Sequence, residues 1–224
     1  SINTSDHDAA IGLSHDGQLL FLYRDDDGDG NIYQSELMGD IWTVPEKFGN
    51  NINSPSMESH ATLSSDGQTL YIVSDRKGGF GGRDIYRCKK LPDGEWSQAQ
   101  NLGPAINTKY DEDGPFIQAD NRTLYFSSKG HKTMGGFDVF YSELSGEDTW
   151  SRPANIGYPV NTVADDIYFV LSADGKRAYF SSIRDDGMGD LDNYRATLLF
   201  KEATPLTVLK GSMSVSDQDG NPIN

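Results

Sequence analysis

The sequence predicts an all-β protein, a β-propeller built of four-stranded antiparallel blades with about four repeats present. Three observations predict it. First, one unit recurs: the turn aspartates Asp66, Asp120 and Asp174 stand 54 residues apart, as do Trp42, Trp96 and Trp150, while the first copy, around Asp16, is a few residues shorter. A tail asparagine recurs with them at Asn3, Asn53, Asn107 and Asn161. An internal period near fifty residues marks a repeat architecture, in which one unit cannot bury its apolar face alone and stacked copies share a core. Second, each copy holds short apolar runs separated by turn chemistry. Third, no window carries a sustained helical period with caps, so almost no helix is expected.

The first strand of each copy ends at its turn: Ala9 to Ser14, His60 to Ser64, Pro115 to Gln118 and Ile167 to Ser172. Asp-Gly between apolar runs is a hairpin signal, because Gly takes the positive φ and Asp tolerates it. The second strand is the most apolar (Leu19 to Tyr23, Thr69 to Val73, Thr123 to Phe126, Ala178 to Phe180), as a strand covered on both faces should be. A glycine-rich loop leads to the third strand, at Asn31, Asp84, Asp138 and Asp192. The fourth begins at the Trp and closes at Gly49, Gly103 or Gly157. Four antiparallel strands repeated radially describe a propeller blade. The repeats run at about 5–54, 55–108, 109–162 and 163–199, followed by a linker at 200–205 and the first hairpin of another β domain at 206–224. The fourth copy lacks a Trp strand, and the chain opens on the end of a repeat. Both features predict an open arc belonging to a larger propeller, or closure by the C-terminal segment.

Composition bounds the function. Hydrophobic content of 36% with 11% aromatics supports a folded core. A net charge of −15 sets aside nucleic acid and anionic lipid surfaces as partners and favours basic partners or metal cations. No apolar run reaches the roughly twenty residues that span a bilayer. The lone Cys88 occupies the place of Ser35, Ser142 and Ala196 in the other copies, which fits a small buried thiol.

Specific motifs refine the assignment. Copies reading Asp-Gly-x-x-Leu-Tyr-Phe-Ser-Ser, Gly-Gly-x-Asp-Ile-Tyr and Trp-Ser-x-Pro-x-Asn-Leu-Gly, carried by Asp120 to Ser128, Gly135 to Phe140 and Trp150 to Thr162, resemble the TolB-like, WD-type propeller repeats of OmpA-family envelope proteins from Bacteroidetes bacteria. The match covers roughly residues 1–194, with Asn121, Asn31 and Asn193 as departures. Residues 206–224 resemble the start of a carboxypeptidase-regulatory-like β-sandwich domain. The resemblance implies a periplasmic, outer-membrane-associated parent with tetratricopeptide repeats, this propeller, the small sandwich and an OmpA-like peptidoglycan-binding domain, some members belonging to type IX secretion and gliding machinery. It implies a non-catalytic protein-binding scaffold whose partners are envelope or secretion-system proteins, with peptidoglycan bound through a separate domain. A hydrolytic or carbohydrate-active propeller and a purely structural spacer are the alternatives.

Two constellations are candidate sites. Asp25-Asp26-Asp27-Gly28-Asp29-Gly30, with Glu36 at the twelfth place, satisfies an EF-hand loop pattern, but strands stand where its helices should be. Calcium held by Asp25, Asp27 and Asp29 on a β-hairpin is one reading, a solvated acidic turn the other; Asp185 to Asp190 is a weaker copy. Asp8, Glu58, Glu112 and Asp166 each precede a turn by eight residues and would gather at one mouth of the channel as a negative ring for a cationic ligand. The alternative, that each carboxylate fastens adjacent blades through hydrogen bonds, is preferred because repeated polar residues in repeat proteins usually serve that purpose. Arg24, Arg76 and Arg184, at the ends of second strands, suggest structural pairing. His7, His15, His60 and His131 lack ligand spacing for zinc, Ser14-His15-Asp16 is a turn and not a triad, and Gly78 to Gly82 precedes no helix that would make it a phosphate loop. No nucleophile, base and oxyanion donors assemble in the sequence, so no enzyme is expected.

Overall fold

Hairpin chemistry organises every blade of the computed structural model, which describes residues 2–5, 7–25, 28–146, 148–172, 174–185 and 187–198. At the turns, Ser14, Ser64 and Ser172 donate to Asp16, Asp66 and Asp174 at 2.6 Å, and the following glycines take φ of 69°, 70° and 65°. In the third copy Asn121 takes the same left-handed conformation at φ 56°, as its short polar side chain allows. Its side chain also accepts from Ser65 N at 2.7 Å, joining the turns of neighbouring blades as a glycine cannot.

Blade 1 comprises β1 (Asp8–Leu13), β2 (Leu19–Arg24) and β3 (Asn31–Met38), with β4 (Ile41–Trp42) and β5 (Glu46–Lys47) both paired to β3. Blade 2 runs through β6 (Glu58–Leu63), β7 (Thr69–Ser74), β8 (Asp84–Lys89) and β9 (Gln100–Asn101). Blade 3 holds β10 (Glu112–Ile117), β11 (Thr123–Ser128) and β12 (Asp138–Ser145), with β13 (Thr149–Trp150) and β14 (Ala154–Asn155) both on β12. Blade 4 shows β15 (Asp166–Leu171), β16 (Arg177–Ser182) and β17 (Asp192–Thr197). All pairings are antiparallel, and there is no helix among the described residues. The sandwich segment expected at 206–224 and the linker at 200–205 lie outside the described residues.

The expected fourth strand is broken into two short pieces, for a reason local to the residue after each Trp. Thr43, Ser97 and Ser151 each accept, through their hydroxyls, a backbone N–H of the third strand: Glu36 at 2.9 Å, Lys89 at 2.9 Å and Glu143 at 3.0 Å. The hydroxyl takes a rung that a backbone carbonyl would hold in a continuous ladder. The tail asparagine supplies another substitute rung. Asn107 accepts from Ile85 N at 2.8 Å and donates to Ile85 O at 2.9 Å, and Asn53 and Asn161 do the same with Ile32 and Val139. That pairing accounts for the recurrence of Asn at one spacing.

Core residues collect between blades. Phe21, Ile52, Leu70 and Ile72 pack blade 1 on blade 2; Val73, Ile85, Phe126 and Trp150 pack blade 2 on blade 3; Tyr125, Val139, Phe169 and Phe180 pack blade 3 on blade 4. Trp150 meets Tyr71 of the preceding blade edge-on at 6.1 Å, and Trp96 packs against the cluster between blades 1 and 2, so both serve inter-blade packing. Cys88 is fully buried in the first of these clusters. The inner strands pack in succession, β1 on β6, β6 on β10 and β10 on β15. No described strand of blade 1 contacts one of blade 4, and the segment expected to close the ring lies outside the described residues. A Cβ on Gly12 would collide with Ala61 O, which makes glycine a condition of the close β1–β6 approach.

Candidate functional site

The four ring acids open the inner strands, and each lies at the junction with the tail of the preceding repeat, where the preferred reading puts it, as a fastening rather than part of a ligand ring. Glu58, Glu112 and Asp166 are 0% exposed, and the side chain of Asp8 is 7% exposed. Each is held by its own junction. Glu58 accepts from Ser54 N (2.8 Å), Ser54 Oγ (2.7 Å), Ser74 Oγ (2.7 Å) and Arg76 (3.0 Å). Asp166 accepts from Thr162 N (2.5 Å), Thr162 Oγ1 (2.9 Å) and Ser182 Oγ (2.5 Å), with Arg184 at 4.0 Å. Asp8 is bound by the Thr4 amide and hydroxyl and lies 3.1 Å from Arg24 Nε. The physical reason is position: the acid meets the tail of the preceding repeat, whose amide and hydroxyl point at it.

The arginines complete this arrangement. Arg24, Arg76 and Arg184 donate to the carbonyls of Ile2 (2.6 Å), Ile52 (2.6 Å) and Pro159 (2.7 Å), and stack on Tyr33, Tyr86 and Tyr194 at 4.9, 4.9 and 4.7 Å. Blade 3 has no arginine there. His131 Nε2 donates instead to Ile106 O at 2.9 Å and packs on Phe140 at 5.3 Å. Glu112 is left with Thr108 N (2.7 Å), Thr108 Oγ1 (2.8 Å) and Ser128 Oγ (2.7 Å) and no cation. Burial pushes its carboxyl up to about 7 against those hydrogen bonds.

In the acidic hairpin of blade 1, Asp27 lies outside the described residues. Asp29 accepts from Asn31 Nδ2 at 2.7 Å, and Asp25 has one buried carboxylate oxygen without a partner. No group of three metal-ligating side chains occurs among the described residues.

A constellation that sequence reasoning passed over lies on the axis. Every inner strand carries a register shift just after its acid, at Ala10/Gly12, Glu58/His60, Asp113/Phe116 and Ile167/Val170. Such irregularities re-aim side chains. They bring together His60, Asp113 and Tyr168 from three blades. His60 Nδ1 lies 3.1 Å from Asp113 Oδ1, and the His60 ring stacks on Tyr168 at 4.6 Å and 19°. Arg83 pairs with the other oxygen of Asp113, and Gly114 N donates to Oδ1 at 2.7 Å. Burial pushes Asp113 up, but His60, Arg83 and the Gly114 amide outweigh it and hold the carboxyl below its ordinary value. Tyr168 is pushed up to about 12, by burial and then by Asp113. Tyr168 itself sits at φ 60°, an uncommon conformation for an aromatic residue.

These groups border a cavity of about 730 Å³ with mostly apolar walls, among them Ala9, Ala10, Ile11, Met57, Pro115 and Val170. The signal available in the sequence was departure from the repeat: the two positions after each ring acid read Ala9-Ala10, Ser59-His60, Asp113-Gly114 and Ile167-Tyr168. Within otherwise regular copies, those positions change chemistry from one copy to the next.

No family model and no curated protein matches this sequence. Solved structures do. TolB from Acinetobacter baumannii is 15% identical with a TM-score of 0.55, covering 86% of this chain and 41% of that one. A putative TolB from Agrobacterium tumefaciens is 19% identical with a TM-score of 0.57, covering 84% and 61%. The chain thus spans less than two thirds of either TolB structure. An α-L-arabinofuranosidase from Lactobacillus brevis is 13% identical with a TM-score of 0.54, covering 92% and 72%. That last likeness corrects the expectation that this chain is not an enzyme: a glycosidase shares the fold over nearly the whole chain, and the exclusion does not stand. What the geometry and these likenesses establish together is a TolB-like β-propeller fold of four blades.

Proposed function

We propose that this propeller is a protein-binding scaffold of the bacterial cell envelope, acting in the periplasm beside the outer membrane. One observation carries the reading. Blade 3 covers blade 4 with Phe116, Tyr125 and Val139, whereas the same places on blade 4 are Val170, Tyr179 and Asn193, and Val170 and Tyr179 are 40% and 44% exposed. A face built like a blade junction but left open by the described residues is a surface for a partner. The repeat's resemblance to OmpA-family envelope proteins and the TolB-like fold support the location. That resemblance extends the proposal to a parent that holds peptidoglycan through another domain and belongs to type IX secretion or gliding machinery. Calcium at Asp25, Asp27 and Asp29 is part of the same proposal: saturating calcium should raise the melting temperature by mass action, and less so in the triple Asn variant. An unchanged melting curve removes it.

The decisive experiment is photo-crosslinking from a probe at Tyr179 in intact envelopes. A single discrete protein adduct, lost when Val170→Glu is added, is expected. Absence of any protein adduct, or one insensitive to Val170→Glu, overturns the reading.

A further inference from the structure

The axial cavity meets that blade face along Val170, Tyr179 and Asn193, and the groups on its other walls go beyond the scaffold reading. Its body is apolar, and about 730 Å³ lies within the range of small-molecule sites. Its polar groups are few and specific. Ser59 Oγ and His60 Nδ1 are both buried without a hydrogen bond, Nδ1 lying 3.1 Å from Asp113 Oδ1. With the Asp113 carboxylate at that distance the imidazole is assigned the tautomer protonated at Nδ1, in which Nε2 is the acceptor. No described side chain or backbone group engages Nε2. Among the described residues, the full charges at the cavity are Arg83 and the Asp113 behind His60, which pair with each other. An ion would find no counter-charge there, and a chain of net charge −15 repels anions in particular.

We propose that this cavity binds an uncharged hydroxyaryl group: a phenol ring, free or carried as a tyrosine side chain, lodged among Ala10, Ile11, Pro115 and Val170 with its hydroxyl donating to Nε2 of His60. Flat stacking is already the local geometry, since His60 and Tyr168 lie parallel along one wall. The apolar walls bind the ring body, and the histidine distinguishes a ring with a hydroxyl from one without. The Asp113–Arg83 pair positions the histidine without touching the ligand.

The test is a titration followed by NMR of the whole chain with four probes: 4-methylphenol, toluene, methyl glucoside and 4-hydroxybenzoate. 4-Methylphenol should bind roughly ten-fold tighter than toluene, the worth of one good hydrogen bond, and the other two should bind more weakly than either. His60→Phe keeps a ring over Tyr168 but removes the acceptor; it should bring 4-methylphenol down to the level of toluene and leave toluene unchanged, which a general structural defect would not do. Ala10 is exposed on the cavity wall, so Ala10→Trp fills the space without disturbing the core and should abolish both. If His60→Phe does not fold, the Ala10→Trp result and the parent's probe ranking decide. N-acetyltyrosinamide and a tyrosine-centred pentapeptide separate the two sources. Binding of the pentapeptide at least ten-fold tighter than 4-methylphenol assigns a peptide side chain, and equal or weaker binding a free phenol. Equal affinity for 4-methylphenol and toluene, binding that survives Ala10→Trp, or preference for methyl glucoside overturns the proposal. A crosslinked partner at Tyr179 that persists in Ala10→Trp, where phenol binding is lost, leaves the scaffold reading intact.

Discussion

The junction of blades 1 and 2 and the junction of blades 2 and 3 solve one problem with different chemistry. In both, a fully buried glutamate closes the tail of one repeat onto the inner strand of the next, through an amide, a hydroxyl and a serine from the second strand. At Glu58 the charge is met by Arg76, which also holds Ile52 O and covers Tyr86. At Glu112 the carbonyl is held by a neutral donor, His131, and the charge is met by none. The geometry survives the exchange, but the electrostatics do not. Hydrogen bonds suffice to place a carboxyl, whereas keeping it ionised in a buried junction takes a cation.

The largest break in this comparison is Arg76→Ala. It strands Glu58 and frees the Ile52 carbonyl, and by the usual cost of orphaning a buried charge the variant should lose about 3–5 kcal/mol in denaturant unfolding. The corresponding His131→Ala change strands no charge and should cost clearly less.

Next comes pH. The Glu112 carboxyl titrates near 7 in the folded protein against an ordinary 4.5, so the folded state holds the proton more tightly. Its favourable contribution is therefore complete below about pH 4.5 and is lost as pH rises through 7, a difference on the order of 3 kcal/mol. Glu112→Gln should flatten that fall between pH 5 and pH 8. Burial lowers His131 from its ordinary 6.5, which has the opposite sign: stability from this residue declines as pH drops below 6.5. Unfolding curves of Glu112→Gln should accordingly expose a residual slope that rises toward pH 6.5. A parent-like fall in stability from pH 5 to 8 in that variant contradicts the assignment.

The smallest of the three sharpens why blade 3 lacks the arginine. Gly130 occupies the place of Arg76 and Arg184, and a Cβ there would collide with the Thr108 side chain that caps Glu112. Gly130→Ala should cost about 1–3 kcal/mol as overpacking. The equivalent Arg184→Ala change leaves its junction unclashed, so the two calorimetric profiles should differ in cause as well as size.

How much of this was legible in the sequence depends on how far apart the interacting residues lie along the chain. Asp16, Asp66 and Asp174 announced their turns because Ser, Asp and Gly act on atoms two to five residues away. The arginines at the second-strand ends were visible as a repeated place suited to pairing, though the carboxylates they approach were also read as an open ring. Burial decides between those roles, and burial depends on the tail of the previous repeat folding over the acid. The break in the fourth strand was invisible in an apolar pattern, because a hydroxyl at Thr43, Ser97 or Ser151 competes with the ladder without changing the hydropathy.

By itself, then, the sequence determined what repeats: blade count, turn positions, the tail asparagine and the recurring tryptophan, all consequences of local propensity and of one unit copied in register. Tertiary structure alone decided what does not repeat. His60, Asp113 and Tyr168 sit about one repeat apart in three copies, and none is unusual beside its sequence neighbours. Their meeting follows from the register shifts that re-aim each inner strand and from the rotation between successive blades, which carries one position of every copy to a common axis. His131 standing in for an arginine has the same origin, since only a packed junction selects by reach and shape which side chain completes it.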